Sequence, residues 1–72
     1  MNKEEFAAEF KIIIDSDEDV KASSVLKDLE DWDSLSAISV SAYMDKTFGK
    51  KVKVSDINNC STVEDIYNLG AD

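Results

Sequence analysis

Between Phe6 and Ile14, the apolar residues Phe6, Ala7, Phe10, Ile13 and Ile14 recur at the repeat of a helix that lays one face on a core. Asn2 lies ahead of them, and Glu5, three residues on, completes the form of a capping box. The spacing predicts a first helix over about 3–14, with Glu4, Glu5 and Glu9 on its solvated side and its apolar stripe engaged in packing alone. A stronger helix begins after the turn Asp31-Trp32-Asp33. In it Ala37, Val40, Met44 and Phe48 share one face, while Leu35, Ile38 and Ala42 form a second apolar stripe nearly opposite, and Ser36 and Tyr43 fall on a flank. A small bundle cannot bury both stripes fully, so the first is assigned to the core and the second is a candidate docking surface. The alternative is a central helix buried nearly all round. Asp33 or Ser34 supplies the N-cap, and Gly49, free to take the left-handed conformation, ends the helix.

The rest of the chain carries weaker patterns. Residues 15–33 form a long acidic connection with 8 of the 16 carboxylates, in which Val20, Val25, Leu26 and Leu29 are able to pin the chain to the bundle. Its Asp15-Ser16-Asp17-Glu18-Asp19 start resembles a calcium loop, but Val20 and Leu26 stand where that loop needs Gly and a bidentate Glu, so no metal is expected. Lys50–Val54 alternates like a strand without a pairing partner and reads as an extended loop with Val52 and Val54 inward. A short helical turn capped by Ser55 follows, around Ile57. Ser61 and Glu64 then suggest a capping box for a last helix bearing Val63, Ile66, Tyr67 and Leu69 and stopping before Gly70. Cys60 reads as a small buried hydrophobe.

Composition narrows what such a set of helices does. With 72 residues the chain is read as one domain, 1–72, near the lower limit for a core without staples, and cofactor-sized interior pockets are not expected. Sixteen carboxylates against eight lysines give a net charge of −8, which repels nucleic acid and anionic membranes and favours basic protein surfaces. The 43% hydrophobic content is too high for an acidic disordered tail. One cysteine permits no internal disulfide. The lack of histidine removes zinc clusters and imidazole-activated nucleophiles, so ordinary hydrolase chemistry is nearly excluded. No basic, apolar signal segment opens the sequence and no apolar run approaches membrane length, so a cytoplasmic location is expected.

The candidate chemistry lies at Ser34. Its hydroxyl sits at the positive end of a helix, where an attached phosphate would meet free N–H donors and a favourable dipole. An Asp-Ser pair is by itself no more than a cap. In this sequence it comes with Leu29, the run Trp32-Asp33-Ser34-Leu35, Phe48 near the helix end, the turn around Ile57 and the closing Thr62-Val63-Glu64-Asp65-Ile66-Tyr67-Asn68-Leu69. Over nearly its whole length the chain resembles the acyl and peptidyl carrier proteins.

The resemblance implies an all-α, small four-helix bundle with a long first loop and a short third helix. It implies that Ser34, flanked by Asp33 and Leu35, receives 4′-phosphopantetheine from coenzyme A through a phosphopantetheinyl transferase. The arm's thiol then holds an acyl group as a thioester, and tethering raises its effective concentration at each acyl-loading and acyl-transferring enzyme. No catalysis by the chain is expected, nor nucleic-acid binding, nor membrane insertion, and the expected state is a monomer. Leu35, Ile38, Ser39 and Ala42, with Glu30 and Asp31, are the expected partner-docking residues.

One departure bears on the assignment. Carriers of fatty acid synthesis, as the resemblance implies, have acids along the exposed face of the second helix; here those places hold Ser36 and Ser39, and Asp45 is the helix's only acid. The negative charge has moved upstream to Asp28, Glu30, Asp31 and Asp33. This looks like a free-standing carrier dedicated to a specialised lipid, polyketide or related pathway, with Trp32 packing the loop on the bundle. An aminoacyl carrier charged by an adenylating enzyme and an unmodified helical interaction module are the competing readings.

Overall fold

Asn2 starts the first helix, α1 (Lys3–Ile13), through both halves of the predicted capping box: its side chain accepts from the Glu5 N–H at 2.8 Å, and the Glu5 carboxylate accepts from the Asn2 N–H at 3.0 Å. The helix closes on Asp15, whose φ of +54° is left-handed. Aspartate tolerates that conformation, and the Ser16 N–H reaching back to the Lys11 carbonyl at 3.1 Å seals the end. The structure is a computed structural model and describes residues 1–71. Within them follow α2 (Ser34–Phe48), α3 (Val54–Asn58) and α4 (Val63–Ala71), with a 3₁₀ turn at Leu26–Asp28 inside the long first connection. The architecture is the expected all-α bundle with a short third helix.

Helix α2 keeps its two faces apart. Ala37, Val40 and Met44 are buried with Phe6, Phe10, Ile57, Val63 and Ile66, while Phe48 packs against this core partly exposed. Phe6 is the centre of the aromatic packing, with ring centroids of Phe10, Tyr43, Phe48 and Tyr67 between 5.5 and 6.2 Å away. A ring buried in this way contributes about 1.5–3 kcal/mol. Gly49 takes φ +64° and ends α2 as predicted.

Tertiary contacts order the acidic connection. Val20, Leu26 and Leu29 are buried and Val25 is half-buried. Backbone bonds join the connection to the entry of α4: Leu26 N–H to the Ser61 carbonyl at 2.9 Å, Val63 N–H to Ser24 at 3.1 Å and Glu64 N–H to Ala22 at 2.9 Å. Trp32 packs the end of the loop on the bundle by stacking on Phe10 at 5.4 Å.

Three predicted details differ. The cap of α4 is Thr62 with Asp65, not Ser61 with Glu64: Thr62 Oγ1 accepts from the Asp65 N–H at 3.2 Å, and the Asp65 carboxylate accepts from the N–H groups of Ser61 and Thr62, each at 3.1 Å. Glu64 is drawn instead to Lys3, at 2.8 Å. Secondly, α3 begins at Val54 and Ser55 is not its cap, because the Lys53 carbonyl accepts from the Asp56 and Ile57 N–H groups and no side chain caps the turn. Thirdly, α4 runs through Gly70 to Ala71. A Cβ on Gly70 would stand 2.6 Å from Met44 Cε and 2.7 Å from Phe48 Cδ2, so glycine there serves the approach of α4 to α2 and does not stop the helix. Thr62→Ala is expected to lower stability by roughly 1 kcal/mol and Ser61→Ala by less than about 0.5 kcal/mol in chemical denaturation. The reverse order would return the cap to Ser61.

Candidate functional site

At the start of α2 three neighbouring residues divide the work. Asp33, extended at φ −147°, is the N-cap, and its carboxylate accepts from the Ser36 N–H at 2.9 Å. Ser36 lies one turn into the helix, where its hydroxyl donates to the Asp31 carbonyl at 2.7 Å and stands 3.0 Å from the Asp33 carboxylate. One hydroxyl carries one proton, and the shorter contact places it mainly on Asp31. Ser34 is the first helical residue; with the capping done by its neighbours, its side chain is exposed at the helix N-terminus.

Ser36 is 8% exposed. The resemblance sets it with Ser39 on the exposed face of the helix, and that is corrected: Ser36 is turned inward, with its hydroxyl on the Asp31 carbonyl. Ser39 is exposed as expected. So are Ala42, Glu30 and Asp31, while Leu35 is 75% exposed and Ile38 55%. The second apolar stripe is therefore open to solvent along α2, with Ser34 at its N-terminal end.

The end of α1, read from sequence as packing alone, also reaches this region. Ile13 and Asp15 face Glu30, Asp31, Leu35 and Ser39 across an open groove of roughly 320 Å³. No local pattern announces this, because it depends on how α1 and α2 pack. The groove's carboxylates give the surroundings of Ser34 a negative field.

Hydrogen bonding, chiefly from the Ser36 N–H, holds the Asp33 carboxyl below the ordinary value of 3.8. A carboxylate held in this way is a poor base. Because its folded-state pKa lies below the unfolded one, ionised Asp33 adds stability above the ordinary value, and that contribution is lost as pH falls through the folded value. Asp33→Ala is expected to melt below the wild type near neutrality, with the gap closing as pH drops below 3.8. A gap independent of pH would mean that the ionised carboxylate plays no part in the cap.

Elsewhere the chemistry is quiet. Cys60 is half-buried, its thiol donates to the Asp56 carbonyl at 3.4 Å, and burial first, then Asp65 and Asp56, push its pKa up, all of which oppose thiolate formation. Among the described residues no group of three or more His, Cys, Asp or Glu is placed to hold a metal ion, and no helix is long and apolar enough to cross a membrane. What the site offers is an exposed hydroxyl at a helix N-terminus, free of capping duty. Such a hydroxyl fits a group attached through phosphate.

The family described as Phosphopantetheine attachment site matches residues 3–69, nearly the whole chain. No curated protein and no solved structure matches.

Proposed function

The chain belongs to the phosphopantetheine attachment site family and is a phosphopantetheine-carrying protein, and from that premise we propose that Ser34 is the attachment point and that the cargo is an acyl group. The observation that carries the assignment is the division of labour at the start of α2, where Asp33 and Ser36 form the cap and Ser34 stands exposed. The covalently bound 4′-phosphopantetheine supplies a thiol that holds cargo as a thioester. The chain's own residues present it. Ser34 fixes the tether to the rigid end of a 15-residue helix, and the N-terminal dipole of that helix favours the phosphate link.

Leu35, Ile38 and Ala42 are the apolar part of the proposed docking surface, with Ser39 among them and Glu30 and Asp31 beside them as attraction for basic partner surfaces. The partners are a phosphopantetheinyl transferase and the enzymes that load and consume the acyl group, met in the cytoplasm by a monomeric single domain. The scarcity of acids on the exposed face of α2 supports a specialised pathway over primary fatty acid synthesis. Mass analysis of the thioester-bound acid, on protein recovered from its own cells, tests the cargo class. A carboxylic acid without an α-amino group is expected, and an amino acid or peptide would make the chain an aminoacyl or peptidyl carrier.

A further inference from the structure

We propose that Ser36 is a positioning residue for arm attachment: its hydroxyl, bonded to the Asp31 carbonyl, fixes the turn that presents Ser34 to the transferase. This rests on the reading of Ser34 as the attachment point. Residues 30–33 belong to no helix. Behind them the turn is anchored by buried Leu29, by the Trp32 N–H on the Leu29 carbonyl at 3.2 Å and by the Trp32 ring on Phe10. Nearer Ser34 the hold passes to Ser36, which grips Asp31 through its hydroxyl at 2.7 Å and Asp33 through its N–H at 2.9 Å. Two of the three residues preceding Ser34 are thus tied to one side chain and its own amide. Ser36 is 8% exposed, so its side chain is held in place beside the Asp31 carbonyl, at the edge of the groove that Asp31 and Asp33 also line.

The reaction depends on where the Ser34 oxygen points. Ser34 Oγ forms a bond to the phosphorus of coenzyme A that carries the pantetheine, as the pyrophosphate P–O bond breaks. Adenosine 3′,5′-bisphosphate leaves with the electron pair of the broken bond, and the Ser34 proton passes to a base of the transferase. The chain has no histidine, and its nearest carboxylate, Asp33, is committed to the cap. An oxygen on a loosened turn is aligned for attack less often, so loss of the Ser36 hydroxyl acts on kcat. The apolar contacts at Leu35 and Ile38 are untouched, so KM holds.

The test compares Ser36→Ala, Ser36→Thr and Ser34→Ala with the wild type. Transfer from coenzyme A by a phosphopantetheinyl transferase is followed by intact mass, and amide hydrogen exchange is measured before modification. Ser36→Ala should lose about tenfold in kcat with KM within about twofold. The hydrogen-bonded amides of this turn, at residues 32 and 36, should exchange faster while those of Val40 and Ile66 stay slow, and Ser36→Thr, which keeps the hydroxyl, should restore both. Transfer by Ser36→Ala at the wild-type rate, a loss confined to KM, a Thr variant as slow as the Ala variant, or exchange that accelerates through the core alike each overturn the positioning role. Arm uptake by Ser34→Ala would instead overturn the reading of Ser34, which separates the two failures.

Discussion

Val40→Asp is expected to unfold the domain or to lower its melting temperature by at least about 15 °C, whereas Ile38→Asp, two residues away, should shift it by no more than about 4 °C. The contrast comes from the two faces of α2. Val40 is fully buried in the hydrophobic core, and an unpaired buried charge costs several kcal/mol. A domain of this length has roughly 4–11 kcal/mol in total at typical values per residue, so one such change consumes much of it. Ile38 is 55% exposed, and its replacement leaves the charge in water. The Ile38 variant should nevertheless take the arm more slowly, since apolar contact beside Ser34 is lost from the transferase complex. Circular dichroism melts together with a transfer-rate assay check both halves. Unfolding of both variants would bury α2 all round and remove the docking surface; unfolding of Ile38→Asp alone would invert the faces.

The second large effect is functional. Ser34→Ala should retain the wild-type fold and gain no phosphopantetheine. Its fold survives because Ser34 is not the cap: the Asp33 carboxylate holds the Ser36 N–H and the Asp33 carbonyl holds the Ala37 N–H, and both remain. Its modification fails because the neighbouring hydroxyls are poor substitutes. Ser36 is buried with its proton on Asp31, and Ser39 lies more than a turn further along the helix. Intact mass after exposure to transferase and coenzyme A reads the outcome, with a melt confirming that the variant is folded. A variant as readily modified as the wild type would place the arm on another residue.

These expectations lean on features that differ in how far sequence alone displays them. The capping box of Asn2 and Glu5, the stop at Gly49 and the burial of Val40 and Met44 involve residues within a turn or two of one another, so spacing is enough to find them. The short helical turn around Ile57 is also legible in the residues, and the resemblance adds the four-helix arrangement. What escaped was decided across the chain. Glu64 fits a capping box by spacing, yet Lys3, far away in sequence, claims its carboxylate, and the cap falls to Thr62 and Asp65. Gly70 has the look of a stop signal, but the side chains of Met44 and Phe48 explain it, and they come from another helix. The exposure of Ser34, Leu35 and Ile38 was legible from the two stripes. The inward turn of Ser36 was not, because the irregular backbone at Asp31 that needs its hydroxyl leaves no periodic trace. The approach of Ile13 and Asp15 to the groove likewise arises only when α1 packs on α2.

The attachment of the arm to Ser34 is tested most directly by localising the mass gained by the wild-type chain. The folded protein is incubated with a phosphopantetheinyl transferase and coenzyme A, and the product is fragmented to assign the modified residue. One phosphopantetheine on Ser34, and none elsewhere, is the result predicted. No gain of mass, or an arm carried by Ser36, Ser39 or any other residue, would contradict it.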